Sequence, residues 1–104
     1  MLEKLLTDYN IDSALLFNSN GVLIDSSNLD KPQTLSAMSN IIMDMCQGLV
    51  EELNEKTLTQ VIIKTQSLLI IANKLDGNQY LMVVTSDITK LGLLLKILEN
   101  FKIN

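Results

Sequence analysis

Apolar residues along this chain fall into short runs whose period switches several times between helix and strand. Leu2, Leu5, Leu6 and Tyr9 recur at i, i+3, i+4 and i+7, which marks one face of a helix. A helix of that length is marginal alone, so it must dock on the rest of the domain. Ile11 to Phe17 reads as a strand, and Asn18-Ser19-Asn20-Gly21 as a hairpin turn, because Asn and Gly both tolerate positive φ. Val22-Leu23-Ile24 returns as a strand and ends at the loop-forming group Asp25-Ser26-Ser27-Asn28. Leu58 to Lys64 is rich in β-branched residues, and after a Thr65-Gln66-Ser67 turn Leu68 to Ala72 suits a strand covered on both faces. The turn Leu75-Asp76-Gly77-Asn78 then leads into Tyr80 to Val84. Ile88, Leu91, Leu94, Leu95, Leu98 and Phe101 close the pattern as a last helix, with Ser86 or Asp87 as its cap.

The longest predicted element lies in the middle. Asp30 is placed to cap it and Pro32 sits in its first turn, where a missing N–H is harmless. It runs to a stop near Asn54. At about 100° per residue, Leu35, Ile42, Cys46, Leu49 and Leu53 share one face. Ile41, Met45 and Met38 spread to one flank, Val50 and Met43 to the other. The apolar arc is about 200° wide, against a little over 100° for an ordinary surface helix. Ser36, Asn40, Asp44, Gln47 and Glu51 form a narrow polar strip opposite. One sheet cannot cover such an arc, so the helix is expected to meet a second partner. Gly48, inside the helix, is either a flaw costing about 1 kcal/mol relative to Ala or a point where another backbone approaches.

The element order is helix, two strands, helix, three strands, helix. One antiparallel sheet with helices on both faces fits it best, as a single α+β domain over residues 1–104. The formal charge is −4, with no basic cluster for nucleic acid or an anionic membrane surface. Apolar runs are far too short to span a bilayer, and the acidic N-terminal segment is no signal peptide, so a cytoplasmic location is the expectation. Cys46 is the single cysteine and is expected on the buried face as a small hydrophobe.

Catalytic chemistry is scarce. Histidine is absent, which removes the commonest general base and metal ligand, and no phosphate-cradling glycine motif occurs. Asp25 and Asp30 lack cation-loop spacing. Asp44, Glu51, Glu52 and Glu55 read as a solvated helix rim. No cofactor or metal is expected. All eight basic residues are lysines, so the sequence offers no arginine to stabilise phosphoryl transfer.

Asn20-Gly21-Val22-Leu23-Ile24-Asp25-Ser26-Ser27, the long apolar helix followed by Leu58–Lys64, and Leu91-Gly92-Leu93-Leu94 together resemble the roadblock family, the roadblock/dynein-light-chain type domain. The resemblance implies a five-stranded antiparallel sheet with the long helix on one face and the two terminal helices on the other. It implies a dimer, with an identical chain or a paralogous roadblock protein, in which long helices pair and the following strands join edge to edge. On that basis Ala37, Ile41, Met45 and Gly48 of the helix and Leu58, Gln60 and Ile62 of the strand are expected at the dimer contact. The alternative for Ile41 and Met45 is contact with their own sheet. The family further implies a non-enzymatic scaffold or regulator of a Ras-like small GTPase. Asn40, Asp44, Gln47 and Glu51 are then the expected partner-facing residues. Two other readings stay open: a small-ligand sensor, and a purely structural subunit of a larger assembly.

Overall fold

Strand residues alternate between the two faces of a sheet, and here each face acquires its own apolar layer. A computed structural model describes residues 2–101 of the chain. It consists of α1 (Leu2–Tyr9), β1 (Ser13–Asn18), β2 (Leu23–Ser27), α2 (Pro32–Glu52), β3 (Gln60–Lys64), β4 (Leu69–Leu75), β5 (Gln79–Thr85) and α3 (Leu91–Glu99), with a 3-10 turn at Ile88–Lys90 before α3. The strands form one antiparallel sheet in the order β2-β1-β5-β4-β3. The expected α+β architecture is therefore observed.

Ala14 and Leu16 of β1, Leu81 and Val83 of β5, and Leu69 and Ile71 of β4 pack against Leu2 and Leu5 of α1 and Leu94 and Leu98 of α3. On the opposite face Leu15, Phe17, Ala72 and Met82 pack beneath Met43 of α2. The rings of Phe17 and Tyr80 stack there at 5.3 Å. Each buried leucine-sized side chain contributes about 1.5–3 kcal/mol, so both layers are needed for a domain of this size.

The punctuation differs in places from the sequence pattern. In the first hairpin only Gly21 takes positive φ (79°), while the Asn18 side chain accepts bonds from the Asn20 and Val22 N–H groups at 2.9 and 3.1 Å. The turn is thus held by one left-handed glycine and a side-chain carbonyl rather than by an Asn-Gly pair. Asp25, Ser26 and Ser27, expected as loop, belong to β2, because pairing with Leu16, Leu15 and Ala14 satisfies their backbone. Asp30 does not cap α2: Lys31 occupies the cap without a side-chain bond, and Pro32 needs no N–H partner. The other end matches the expectation. Asn54 has φ 68°, its N–H bonds to the Glu51 carbonyl, and the Glu55 N–H bonds to that of Val50. This is a Schellman ending with Asn in the left-handed position. Leu58 and Thr59 precede β3 rather than belonging to it. Asp87, one of the two expected caps of the last helix, instead caps the 3-10 turn, accepting from the Thr89 N–H at 3.1 Å, while Lys90 occupies the cap of α3 without a side-chain bond.

Candidate interaction surface

The side of α2 that meets the sheet is its small and polar side. Ser36, Ser39 and Met43 are its buried residues. Ser36 returns its hydroxyl to the Pro32 carbonyl at 2.8 Å, and Ser39 lies 3.5 Å from the sulfur of Met82. Small side chains here bring the helix axis close to the sheet. The apolar arc consequently turns outward, and Met38, Ile41, Ile42, Met45, Leu49 and Leu53 are all exposed, Met45 to 71% and Leu53 to 68%. This corrects the sequence expectation that the face centred on Leu35, Ile42, Cys46 and Leu49 is the buried one. Cys46 is only half-buried, since it lies on the margin between sheet and solvent.

Two flanks of α2 can be told apart. One faces the β1–β2 hairpin: a Cβ placed on Gly21 would lie 3.5 Å from the Cβ of Asn40 and 3.6 Å from the Cα of Ala37. Asp44 lies on this side too, and its charge, together with burial, raises the Tyr80 hydroxyl above the usual phenol range, burial being the larger cause. The other flank faces β3 and β4. There Leu35, Met38, Ile42, Val61, Ile63 and Ile70 line an apolar cleft of about 180 Å³. Ile41 and Met45 form the crest between the two flanks.

The residues expected to face a partner divide accordingly. Asp44 and Glu51 are exposed, while Asn40 and Gln47 are half-buried. Asn40 keeps a buried Oδ1 without a hydrogen-bond partner among the described residues. Gln47 clamps the loop that follows the helix. Its Nε2 donates to Glu51 Oε2 and to the Lys56 carbonyl at 2.8 and 2.9 Å, and its Oε1 accepts from the Leu58 N–H at 2.8 Å. Among the expected dimer residues, Ala37, Ile41, Met45, Gly48 and Ile62 are exposed, and Leu58 and Gln60 are half-buried. A Cβ on Gly48 would meet nothing within 4 Å, so its surface is open. The exposed Met38, Ile42, Leu49 and Leu53 extend this surface beyond the residues expected from sequence. Their apolar character is visible in the sequence, but the side of the helix that meets the sheet is not.

The sheet has two outer strands of different character. β2 carries Asp25 and pairs through a register shift between Leu16 and Phe17; a charged, irregular edge resists further pairing. β3 reads Gln-Val-Ile-Ile-Lys, pairs only with β4, and exposes Ile62 to 44%. Three consecutive β-branched residues on a strand with one open edge leave backbone groups available to another strand. Val61 and Ile63 of this strand line the apolar cleft on the α2 side, so the open backbone edge runs along the cleft, while Ile62, opposite Ile71, belongs to the α1/α3 face.

Chemistry of other kinds is sparse. Among the described residues no group of three or more acidic, histidine or cysteine side chains is arranged for a metal, and no helix is long and apolar enough to cross a membrane. A polar cleft of about 400 Å³ on the α3 side of β3 is lined by Thr59, Gln60, Asn73, Lys74, Leu95 and Glu99.

The family model of the Roadblock/LC7 domain matches residues 1–86. No curated protein sequence matches the chain. Among solved structures, the chain is similar in fold to Myxococcus xanthus MglB, with a TM-score of 0.81 at 23% identity over 90% of this chain and 74% of that one. The gliding protein mglB from Thermus thermophilus gives 0.80 at 17% identity, over 95% and 80% of the two chains. A Roadblock/LC7 domain from Streptomyces avermitilis gives 0.71 at 18% identity, over 85% and 78%.

Proposed function

Because the chain belongs to the Roadblock/LC7 domain family, we propose that it is a non-enzymatic cytoplasmic scaffold that dimerises through α2 and β3 and presents the paired helices to a Ras-like small GTPase. The observation that carries this reading is the reversed orientation of α2, which buries serines and leaves its apolar arc outside. Large contiguous apolar patches on a domain surface mark interaction sites. In this reading the crest residues Ile41 and Met45 and the β3-side flank Met38, Ile42 and Leu49 meet a second protomer. Gln60 and Ile62 join them from the strand. Ala37 and Gly48 lie at the margin of the contact, and Leu58 supports it from below. Asp44 and Glu51 stay outside as partner-facing groups, with Asn40 beside the Gly21 turn and Gln47 holding the loop after the helix in place.

The 104 residues contain no arginine, so any effect on nucleotide hydrolysis acts by ordering the GTPase's own switch segments. Such an effect requires different affinities for the GTP- and GDP-bound forms. Titration of candidate GTPases in both nucleotide states tests this. Preferential binding of one state supports regulation. Equal binding supports a structural role, and absence of binding to all counts against the GTPase reading. The sensor alternative finds less support, because ligand pockets combine apolar walls with a few convergent polar groups in about 300–1,000 Å³. The apolar cleft is smaller and has Ser39 as its one polar lining residue; the larger cleft has Leu95 as its one apolar wall.

A further inference from the structure

The polar cleft on the α3 side of the sheet is built around a chain of side-chain amides. Gln60 of β3 stands opposite Asn73 of β4 on the face that α3 covers. Odd-numbered residues of β3 bond to β4, as Thr59 does by accepting from the Lys74 N–H at 2.9 Å. The backbone of Gln60 therefore faces the open edge, and its side chain alone ties it to β4. Its Nε2 donates to Asn73 Oδ1 at 3.0 Å, and Asn73 Nδ2 donates to the Leu98 carbonyl at 3.2 Å. A backbone carbonyl only accepts, so Leu98 fixes which end of Asn73 meets it, and Asn73 in turn fixes Gln60. Head-to-tail bonds of this kind strengthen one another by about 10–30% each. The carbonyl end of the chain, Gln60 Oε1, is left open as a strengthened acceptor with no donor among the described residues.

The rest of the lining is negative. Glu99 borders the cleft one helical turn after Leu95, and its carboxylate forms no ion pair among the described residues. It is also the last residue of α3, where the helix dipole adds negative potential. Lys96 precedes Glu99 by three residues without pairing to it. Lys74 borders the cleft too, but it stands opposite Tyr80 of the α2 layer, so its side chain leaves the sheet on the other face.

A cation in this cleft has acceptors on two walls, with Leu95 as an aliphatic surface for a stem. Its volume of about 400 Å³ is within the range of small-ligand sites. The scarcity of apolar wall, which disfavours an apolar ligand, suits an ion. An ammonium is a compact, strongly hydrated charge, whereas a guanidinium is more weakly hydrated and carries five N–H donors in a planar fork. The fork can give two parallel bonds to a carboxylate along one edge and still present an N–H to a second acceptor. The chain itself holds no arginine that would fill the place.

We propose that this cleft binds an alkylguanidinium group, with Glu99 and Gln60 Oε1 as its acceptors and Leu95 against its stem. Free arginine and an arginine side chain on another protein share this chemistry. The site belongs to a single protomer, so the proposal stands or falls apart from the dimer and the GTPase.

Proton–nitrogen correlation NMR of the full chain at low salt, titrated with N-acetyl-L-arginine amide, tests it. The side-chain amide signals of Gln60 and Asn73 and the backbone amide of Glu99 should shift saturably, with a Kd of about 0.1–10 mM because the carboxylate is exposed. The citrulline analogue, a neutral urea of the same shape, should bind at least about tenfold more weakly, and the lysine analogue about three- to tenfold more weakly. Glu99→Gln should weaken binding about tenfold or more, with the dispersion of the spectrum kept as evidence of an intact fold. Free L-arginine separates the two sources: tighter binding than the capped form supports a small-molecule site, and weaker binding supports a partner's side chain. Absence of saturable shifts, equal affinity for the citrulline analogue, unchanged binding to Glu99→Gln, or shifts confined to the acidic end of α2 would each overturn the site. Equal or tighter binding of the lysine analogue would overturn the guanidinium assignment.

Discussion

Leu49→Asp separates the stability of the fold from the stability of its assembly. Leu49 is 61% exposed in the single chain. Full burial of a leucine is worth about 2 kcal/mol, so the part already covered contributes only about 0.8 kcal/mol. Replacing a good helix former by Asp adds about 0.5 kcal/mol. The protomer should therefore lose only about 1–1.5 kcal/mol. The dimer suffers more. Each copy forfeits the remaining apolar burial, about 1.2 kcal/mol, and must either desolvate an unpaired carboxylate or leave a gap. Two symmetric copies make this at least about 3 kcal/mol in total, or a dissociation constant weakened more than about 100-fold. Sedimentation equilibrium over a dilution series gives the constant, and circular dichroism melting of the dissociated variant gives the protomer's stability. A variant that keeps both the wild-type dissociation constant and the wild-type fold would refute the assignment of this flank. The same substitution at Leu93, 52% exposed on α3 and outside the proposed contact, is the contrasting control.

Two further outcomes follow from the packing. Gln47→Ala removes the acceptor for the half-buried Leu58 N–H and the donor to the Lys56 carbonyl; chemical denaturation should show a loss of about 1–3 kcal/mol, even though sequence pattern places this residue on an exposed strip. Asp87 is held below the usual carboxylate range by hydrogen bonds from Thr89, with Lys90 adding a smaller effect. Its contribution is present above the ordinary Asp value and is lost as pH falls below about 4. Asp87→Asn should flatten that part of the acid-unfolding profile, read as melting temperature against pH.

The element order, the single antiparallel sheet and the split of helices between its faces are legible because each rests on a local period. Leu94 and Leu98 recur four apart, and Ile71 and Leu69 two apart, whatever lies around them. The orientation of α2 is not legible in that way. Periodicity locates an apolar face but does not say whether a sheet or another chain will cover it. Ser36 reads as part of the solvent-facing polar strip, yet with their hydroxyls satisfied by Pro32 and Met82 it and Ser39 act as small spacers. Gln47 misleads for a related reason, because its partners come from a loop nine to eleven positions away. The extent of β2 is obscured by Asp25 and the two serines after it, which are poor strand formers recruited by pairing with β1.

Residue-resolved amide hydrogen exchange on β3 tests the central claim most directly. The amides of Val61 and Ile63 face β4 and should be protected at any concentration. Those of Ile62 and Lys64 face outward, and the account predicts that they become protected together with assembly and lose protection on dilution. Rapid exchange at Ile62 and Lys64 in concentrated protein, with Val61 and Ile63 still protected, would contradict it.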